Sequence, residues 1–333
     1  MNETISKEAS APKKKDRLFT FIRITVSLLL LLWIIFRNYK NFQDIYYIII
    51  NASLIYLALA VLMHAGHLYM NALRWNVLLR ASDERVSLAF LYQSVYIGHF
   101  YNNLLPSNIG GDFYKIYDVH KNRDVPLSKA VSTVIMERFF SVIAIITYFA
   151  VTSFSLYSIL KNSIIMIAVF LSLAVLLFIV ILRPKLFRID RLFNRFKRLK
   201  KLEIGIANFN NAVNLFRHKW PNLIMGLIFT FAAQSFYMVI YYFISLSMGL
   251  DISFKTFVFV VPVIFVLTGI PISIGGLGVR ENTIVFLLTR FGVTNEQAVA
   301  FSLLVMFLTL FTAGIGGIIY LFKNIFYKSK GFI

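Results

Sequence analysis

Two ten-residue segments carry the groups best suited to holding an anion. PSNIGGDFYK runs from Pro106 to Lys115, and PISIGGLGVR runs from Pro271 to Arg280, half a chain away in 333 residues. Both fit P-x-[NS]-I-G-G-x-x-x-[KR]. Proline lacks an N–H and clashes with the preceding turn, so Pro106 and Pro271 each end a helix. Gly110, Gly111, Gly275, Gly276 and Gly278 permit positive φ and close approach of backbone or ligand. A helix restarting after the glycines presents unbonded N–H groups, and such an N-terminus favours an anion. Lys115 and Arg280, at matched positions, add full positive charge. If the two restarts converge, Asn108, Gly110, Gly111, Asp112 and Lys115 of the first segment meet Ser273, Gly275, Gly276, Gly278, Arg280 and Glu281 of the second around a phosphate-sized substrate site. The competing reading is two hairpins that only pack together, their basic side chains reaching for the bilayer surface.

Other charges sit within apolar sequence. VIMERFFSV puts Glu137 and Arg138 inside a span, where an ion is expensive unless paired or facing water. They join the candidate substrate-binding residues. One inference is a network across the two halves, in which Glu137 or Glu281 neutralises an arginine until substrate arrives; the other is a static pair that fixes packing. His64, His67, Asn71 and Arg74 fall on one helical stripe, as do Gln93, Tyr96, His99 and Asn103. His64, His67, Asn71 and His99 are therefore expected to line a cavity. No carboxylate shares the His-x-x-His stripe at helical spacing, so no metal is expected. There is no cysteine, which excludes disulfides, thiolate nucleophiles and Cys-ligated metals. No Ser-His-Asp order, catalytic carboxylate pair or P-loop is present, so no catalytic residue and no cofactor is assigned.

The elements that must position these groups are membrane helices. The chain is 59% hydrophobic with several apolar runs long enough to cross a hydrocarbon core of about 30 Å. The expected fold is all-α and polytopic. Crossings are read at 18–36, 53–73, 130–155, 162–182, 221–249 and 297–322, and the Pro-Gly pattern interrupts or flanks 86–105 and 256–291. Net charge is +19, but the basic residues cluster between spans: five in residues 1–17 and eleven in 183–219. That distribution excludes a nucleic-acid partner and places those segments on the cytoplasmic side, near anionic lipid. If 86–105 crossed fully, the block 183–219 would face outward. Two re-entrant hairpins, one from each side, keep it inside together with both termini. The result is six crossings plus two hairpins, arranged as an inverted-topology repeat of 18–155 and 162–325. Ala130-Val131 and Ala298-Val299, at a similar offset, add support. Residues 1–17 read as a basic cytoplasmic tail, 183–219 as an amphipathic segment on the inner leaflet, and 38–52 as an outside loop.

In "LLPSNIGGDFYK", "IMERFF" and "GIPISIGGLGVREN" the sequence resembles the transmembrane region of lysylphosphatidylglycerol synthases and the stand-alone flippase-like proteins related to it, over about residues 15–325. The resemblance implies a multi-pass protein of the cytoplasmic membrane that handles lipids; in the synthases this region resembles the part moving aminoacylated lipid between leaflets. Those synthases continue into a soluble aminoacyltransferase domain, whereas this sequence stops at Ile333. Lys115 stands where the family often has arginine, and an ammonium is less suited to bidentate phosphate binding.

The function expected is translocation of an anionic or modified phospholipid, or a polyprenyl-linked lipid, by opposed rocking of the halves. One alternative is a membrane-embedded head-group transferase with Asp112 or Glu137 as base. Another is an accessory subunit of a separate synthase or glycosyltransferase. Membrane lipids are the expected partners, and a homodimer is compatible with this reading.

Overall fold

A computed structural model describes residues 14–105, 110–155, 214–269, 273 and 275–329. The expected crossing at 162–182, most of the 1–17 and 183–219 segments, Asn108 and both motif prolines lie outside the described residues. The described secondary structure is helical: α1 Lys14–Arg37, α2 Phe42–Ile50, α3 Leu54–Ala81, α4 Leu88–Leu104, α5 Gly110–Arg123, α6 Leu127–Ser155, α7 Trp220–Ser247, α8 Phe254–Gly269, α9 Val279–Arg290 and α10 Asn295–Ser329.

Helices α3, α6, α7 and α10 have 28, 29, 28 and 35 residues. At 1.5 Å per residue each is long enough for a bilayer core of about 30 Å. Their outer faces are apolar and bare, with Leu54 79% and Ile55 73% exposed. Such surfaces are uncommon on water-soluble chains and suit contact with lipid. The protein is an integral membrane protein with several apolar helices.

The segment 38–52 is not the loop expected. Asn38 turns its side-chain amide back to the Ile34 carbonyl at 2.7 Å, which competes with the helix ladder. The chain there bends by 58° between Phe21–Ile34 and Tyr39–Ile50. It then resumes as α2, because FQDIYYIII carries enough apolar surface to bury Ile45 beside Val299 and Ala300 of α10.

Contacts define how the helices run. Along α3 and α7, the Ser53 N–H donates to Ser247 O at 2.7 Å, His67 Nδ1 lies 2.8 Å from Ala233 O, and Asn222 Nδ2 donates to Val77 O at 3.5 Å. Residue numbers rise on one helix as they fall on the other, so the pair is antiparallel along its whole length. The same rule makes α4 and α5 the antiparallel arms of a hairpin: Gly98 meets Gly111, Ser94 donates to Asp118, and the Arg123 guanidinium lies 4.3 Å from the Phe90 ring centre. Helices α8 and α9 form a second hairpin, with Gly276 against Thr268 and the Phe259 and Phe291 rings 6.2 Å apart. Each hairpin packs on the last long helix of the other half. The α4 hairpin lies on α10 through His99 and Thr312, and the α8 hairpin lies on α6 through Phe149 and Phe259, 5.4 Å apart.

Two glycines set these distances. A Cβ on Gly111 would stand 2.2 Å from the Gly98 carbonyl oxygen, and one on Gly316 would stand 2.2 Å from that of Tyr96. Without side chains the backbones of α5 and α10 close onto α4, the small-residue packing that replaces hydrophobic drive between helices in lipid. A second packed region, with Tyr241, Phe257, Phe301, Ile284 and Leu288 at its centre, ties α7, α8, α9 and α10 together.

Candidate functional site

The first hairpin delivers its lysine to a buried carboxylate. Gly111 N–H donates to Asn102 Oδ1 at 2.8 Å, which anchors the start of α5 on α4. One turn later Lys115 points toward α3 and α6, and its Nζ donates to Glu137 Oε2 at 2.5 Å. Arg74 of α3 approaches the other oxygen: Nε donates to Glu137 Oε1 at 3.2 Å, and Nη1 donates to Ser141 Oγ at 3.2 Å. The Lys115 ammonium also stands 4.4 Å from the centre of the Trp75 ring, whose indole N–H donates to Thr133 Oγ1. All three charged side chains are buried, Lys115 and Arg74 at 9% and Glu137 at 4% exposure. Two cations share one carboxylate, so the cluster carries one excess positive charge.

The buried ion pair of the second hairpin, Arg280 with Glu281, is neutral by contrast. Gly278 (φ +81) starts α9, and its N–H donates to Glu281 Oε2 at 2.6 Å. That cap folds the Glu281 carboxylate back over Arg280, whose Nε donates to Oε1 at 2.9 Å. Arg280 Nη1 donates to Thr309 Oγ1 of α10 at 3.2 Å. At the tip, Gly275 lies against the backbone of Asn102 and Asn103, so the two hairpins touch. Gly276 and Gly278 have positive φ there, and Ser273 is buried with its Oγ unpartnered among the described residues.

The N–H groups expected to await an anion are thus partly occupied. Gly111 is taken by Asn102 and Gly278 by Glu281. At Glu137 and Glu281 the expected cross-half pairing gives way to pairs within each half, because Glu137 faces the cations of α3 and α5 while Glu281 is held by its own helix start. Arg138 is not part of the buried cluster. Consecutive helix residues face different sides, so Arg138 turns outward, 56% exposed, and pairs with Asp112 at 2.6 Å.

His64, His67, Asn71 and His99 lie close to one another, His64 buried and the other three partly exposed. The His64 ring lies 4.7 Å from that of His99 and 5.9 Å from that of His67. His67 Nδ1 must donate to the Ala233 carbonyl, so its Nε2 accepts from the Asn71 amide at 3.1 Å. Among the described residues no group of three or more His, Cys, Asp or Glu side chains is arranged to hold a metal. These residues bridge the two hairpins: His99 contacts Thr312 of α10, one turn from Thr309 and Arg280, while Asn71 leads along α3 to Arg74.

Sequence reasoning missed three features. It placed Arg74 on a polar stripe without its ion-pair role. It did not single out Trp75. And it missed a buried pair joining the halves at the far end, where Lys323 of α10 donates to Asp118 of α5 at 2.6 Å, 4.1 Å from the centre of the Phe90 ring. The apolar neighbours of Lys323 in YLFKNIF were the available signal.

Residues 20–317 match the family described as the lysylphosphatidylglycerol synthase TM region. The UPF0104 membrane protein PH1989 of Pyrococcus horikoshii is 25% identical, the alignment covering 93% of this chain and 97% of that protein. UPF0104 membrane proteins MJ1078 and MJ1595 of Methanocaldococcus jannaschii are 26% and 24% identical, over 69% and 85% of this chain and 98% and 88% of theirs. No solved structure matches the chain.

Proposed function

The chain belongs to the lysylphosphatidylglycerol synthase transmembrane-region family, and on that premise we propose that it is a lipid translocase that carries an anionic head group across the cytoplasmic membrane. The observation that carries this reading is the excess charge at Glu137: Arg74 and Lys115 are both buried and share one carboxylate. A buried ion is costly unless compensated, and an anionic phosphate beside Lys115 would supply the missing charge. The acyl chains would stay in lipid while the head group passes between the hairpin tips.

In the same proposal the chain has six crossings and two re-entrant hairpins, forming an inverted repeat. Its supports are the antiparallel run of α3 against α7 and the exchange of hairpins between halves, each packing on the other's last helix. Orientation follows charge. Arg80, Arg85, Arg123, Lys129, Lys219 and Lys323 gather at one end of the bundle, tied by Lys129–Glu84 at 2.6 Å and Lys219–Asp83 at 3.0 Å. Positive-inside bias makes that end cytoplasmic, and both termini with it. The transferase alternative is disfavoured because both candidate bases are held by cations, Glu137 by Arg74 and Lys115 and Asp112 by Arg138.

The test is translocation in proteoliposomes, with head-group-labelled lipid exposed to an impermeant quencher. Labelled phosphatidylglycerol should move, labelled phosphatidylcholine should not, and Lys115→Met should stop the movement while the protein stays folded. Equal movement of both lipids, or an unaffected Lys115→Met variant, would refute the proposal.

A further inference from the structure

One buried group between the hairpins is used by nothing described so far. His64 is 2% exposed, and its Nδ1 has no hydrogen-bond partner among the described residues. Buried polar atoms are nearly always satisfied, so an orphan at the centre of a membrane protein needs an explanation.

The neighbours restrict what that explanation can be. His67, on the same helix, is saturated, donating at Nδ1 and accepting at Nε2. His99 of α4 faces Thr312 of α10, whose hydroxyl donates to the Leu308 carbonyl; the Thr312 oxygen therefore accepts, and His99 Nε2 carries the proton. Tyr92 of α4 donates its hydroxyl to the Ala65 carbonyl. From α7, the Tyr237 ring lies 5.1 Å from that of His67 and 5.6 Å from that of Tyr241. The fixed charges around this row are Arg74 with Glu137 and Lys115 on one side, and the Arg280–Glu281 pair of α9 on the other. The row therefore lies between a cluster with one excess positive charge and a neutral pair, and the sum of those charges is positive. A further positive charge on an imidazole is opposed there. An anion bound at Lys115 and Arg74 removes that opposition, and low-dielectric surroundings leave the interaction little screened.

We propose that His64 is a proton-binding site coupled to the anion site, so that one proton enters with each anionic head group. This rests on the translocase reading above. The proton comes from water on the side where the head group binds, adds to the unprotonated ring nitrogen of His64, and leaves to water on the other side when the head group departs. No bond other than N–H forms or breaks. The coupling is reciprocal: the anion strengthens proton binding as much as the proton strengthens anion binding. The pair then crosses with no net charge moved against the membrane potential.

The experiment is calorimetric titration of the full chain in detergent, repeated in two buffers of different ionisation enthalpy, with dihexanoyl phosphatidylglycerol in one arm and inorganic phosphate in the other. Wild type should take up roughly one proton per bound anion; the arm that binds identifies a lipid head group or a free phosphate as the source. His64→Gln should still bind but with no proton uptake. If that variant does not fold, histidine-labelled wild type should show a new imidazolium signal on adding the anion, retained in His120→Gln and His218→Gln. Binding without proton uptake, or uptake unchanged in His64→Gln, overturns the inference and leaves the translocase reading standing. Absence of binding from both arms overturns both.

Discussion

Glu137→Gln is the most discriminating perturbation, because the structure assigns its cost a sign and a rank. The substitution keeps size and hydrogen-bonding shape but removes the carboxylate that serves two buried cations, Lys115 Nζ at 2.5 Å and Arg74 Nε at 3.2 Å. Breaking a buried pair from one side costs about 3–5 kcal/mol, since an uncompensated charge is left behind. Here two cations are stranded and repel each other, so the upper end applies. Lys115→Met should behave oppositely. It leaves Arg74 and Glu137 matched one to one and replaces the ammonium over Trp75 by an apolar chain of similar length. Its cost is the lost cation–π contact, about 1–2 kcal/mol, offset by the burial penalty no longer incurred. The assay is unfolding in mixed micelles by titration with a denaturing detergent, followed by circular dichroism. The predicted order is wild type near Lys115→Met, with Glu137→Gln far below. A Glu137→Gln variant within about 1 kcal/mol of wild type, as for an exposed pair, would refute the buried cluster. So would a Lys115→Met variant less stable than Glu137→Gln.

Further outcomes follow from packing and pairing elsewhere. Gly111→Ala and Gly316→Ala drive a methyl to within 2.2 Å of a backbone oxygen and should each lose roughly 1–3 kcal/mol or more. Gly314→Ala, with nothing within 4 Å, should match wild type or gain up to about 1 kcal/mol in the same unfolding assay. Asp118→Asn strands Lys323 and should cost about 3–5 kcal/mol, while Lys323→Met in the Asp118→Asn background should recover most of it. Because the chain has no cysteine, Ser53→Cys with Ser247→Cys should cross-link on mild oxidation and show a mobility shift on non-reducing gels. Ser53→Cys with Asn222→Cys should not, and cross-linking of that second pair would contradict the antiparallel run of α3 and α7.

The sequence was most informative where a residue type has few uses in a membrane. Proline and paired glycines announced both helix breaks, and the described helices α4, α5, α8 and α9 flank them. Long apolar runs announced α3, α6, α7 and α10. The segment 38–52 was misread because its polar start, NYKNFQD, masked an apolar stretch too short to cross but long enough to pack on α10. Partnerships were the least legible part. Glu137 and Arg138 are adjacent in sequence and point apart; Lys115, Arg74 and Glu137 are distant in sequence and meet. Helical phase and tertiary packing decide that, and neither is written in a single stretch of chain.

That difference bears on how the two hairpins share one task. Positions 115 and 280 both carry a cation after a glycine pair, yet their counter-charges have different origins. Arg280 is neutralised by its own neighbour, which is also committed to capping α9. Lys115 depends on a carboxylate from another helix that Arg74 already holds. A charge held by a cap is fixed as long as the helix start is intact, whereas a carboxylate shared by two cations can release one to an incoming anion and keep the other. In the proposed translocase the two hairpins are therefore unequal: the first receives the head group, and the second guides it without giving up its own pair. Reversing the balance with Glu281→Gln should create a second anion site beside Arg280. Two binding events in place of one in the dihexanoyl phosphatidylglycerol titration would support this division of labour, and a single unchanged event from a folded variant would sink it.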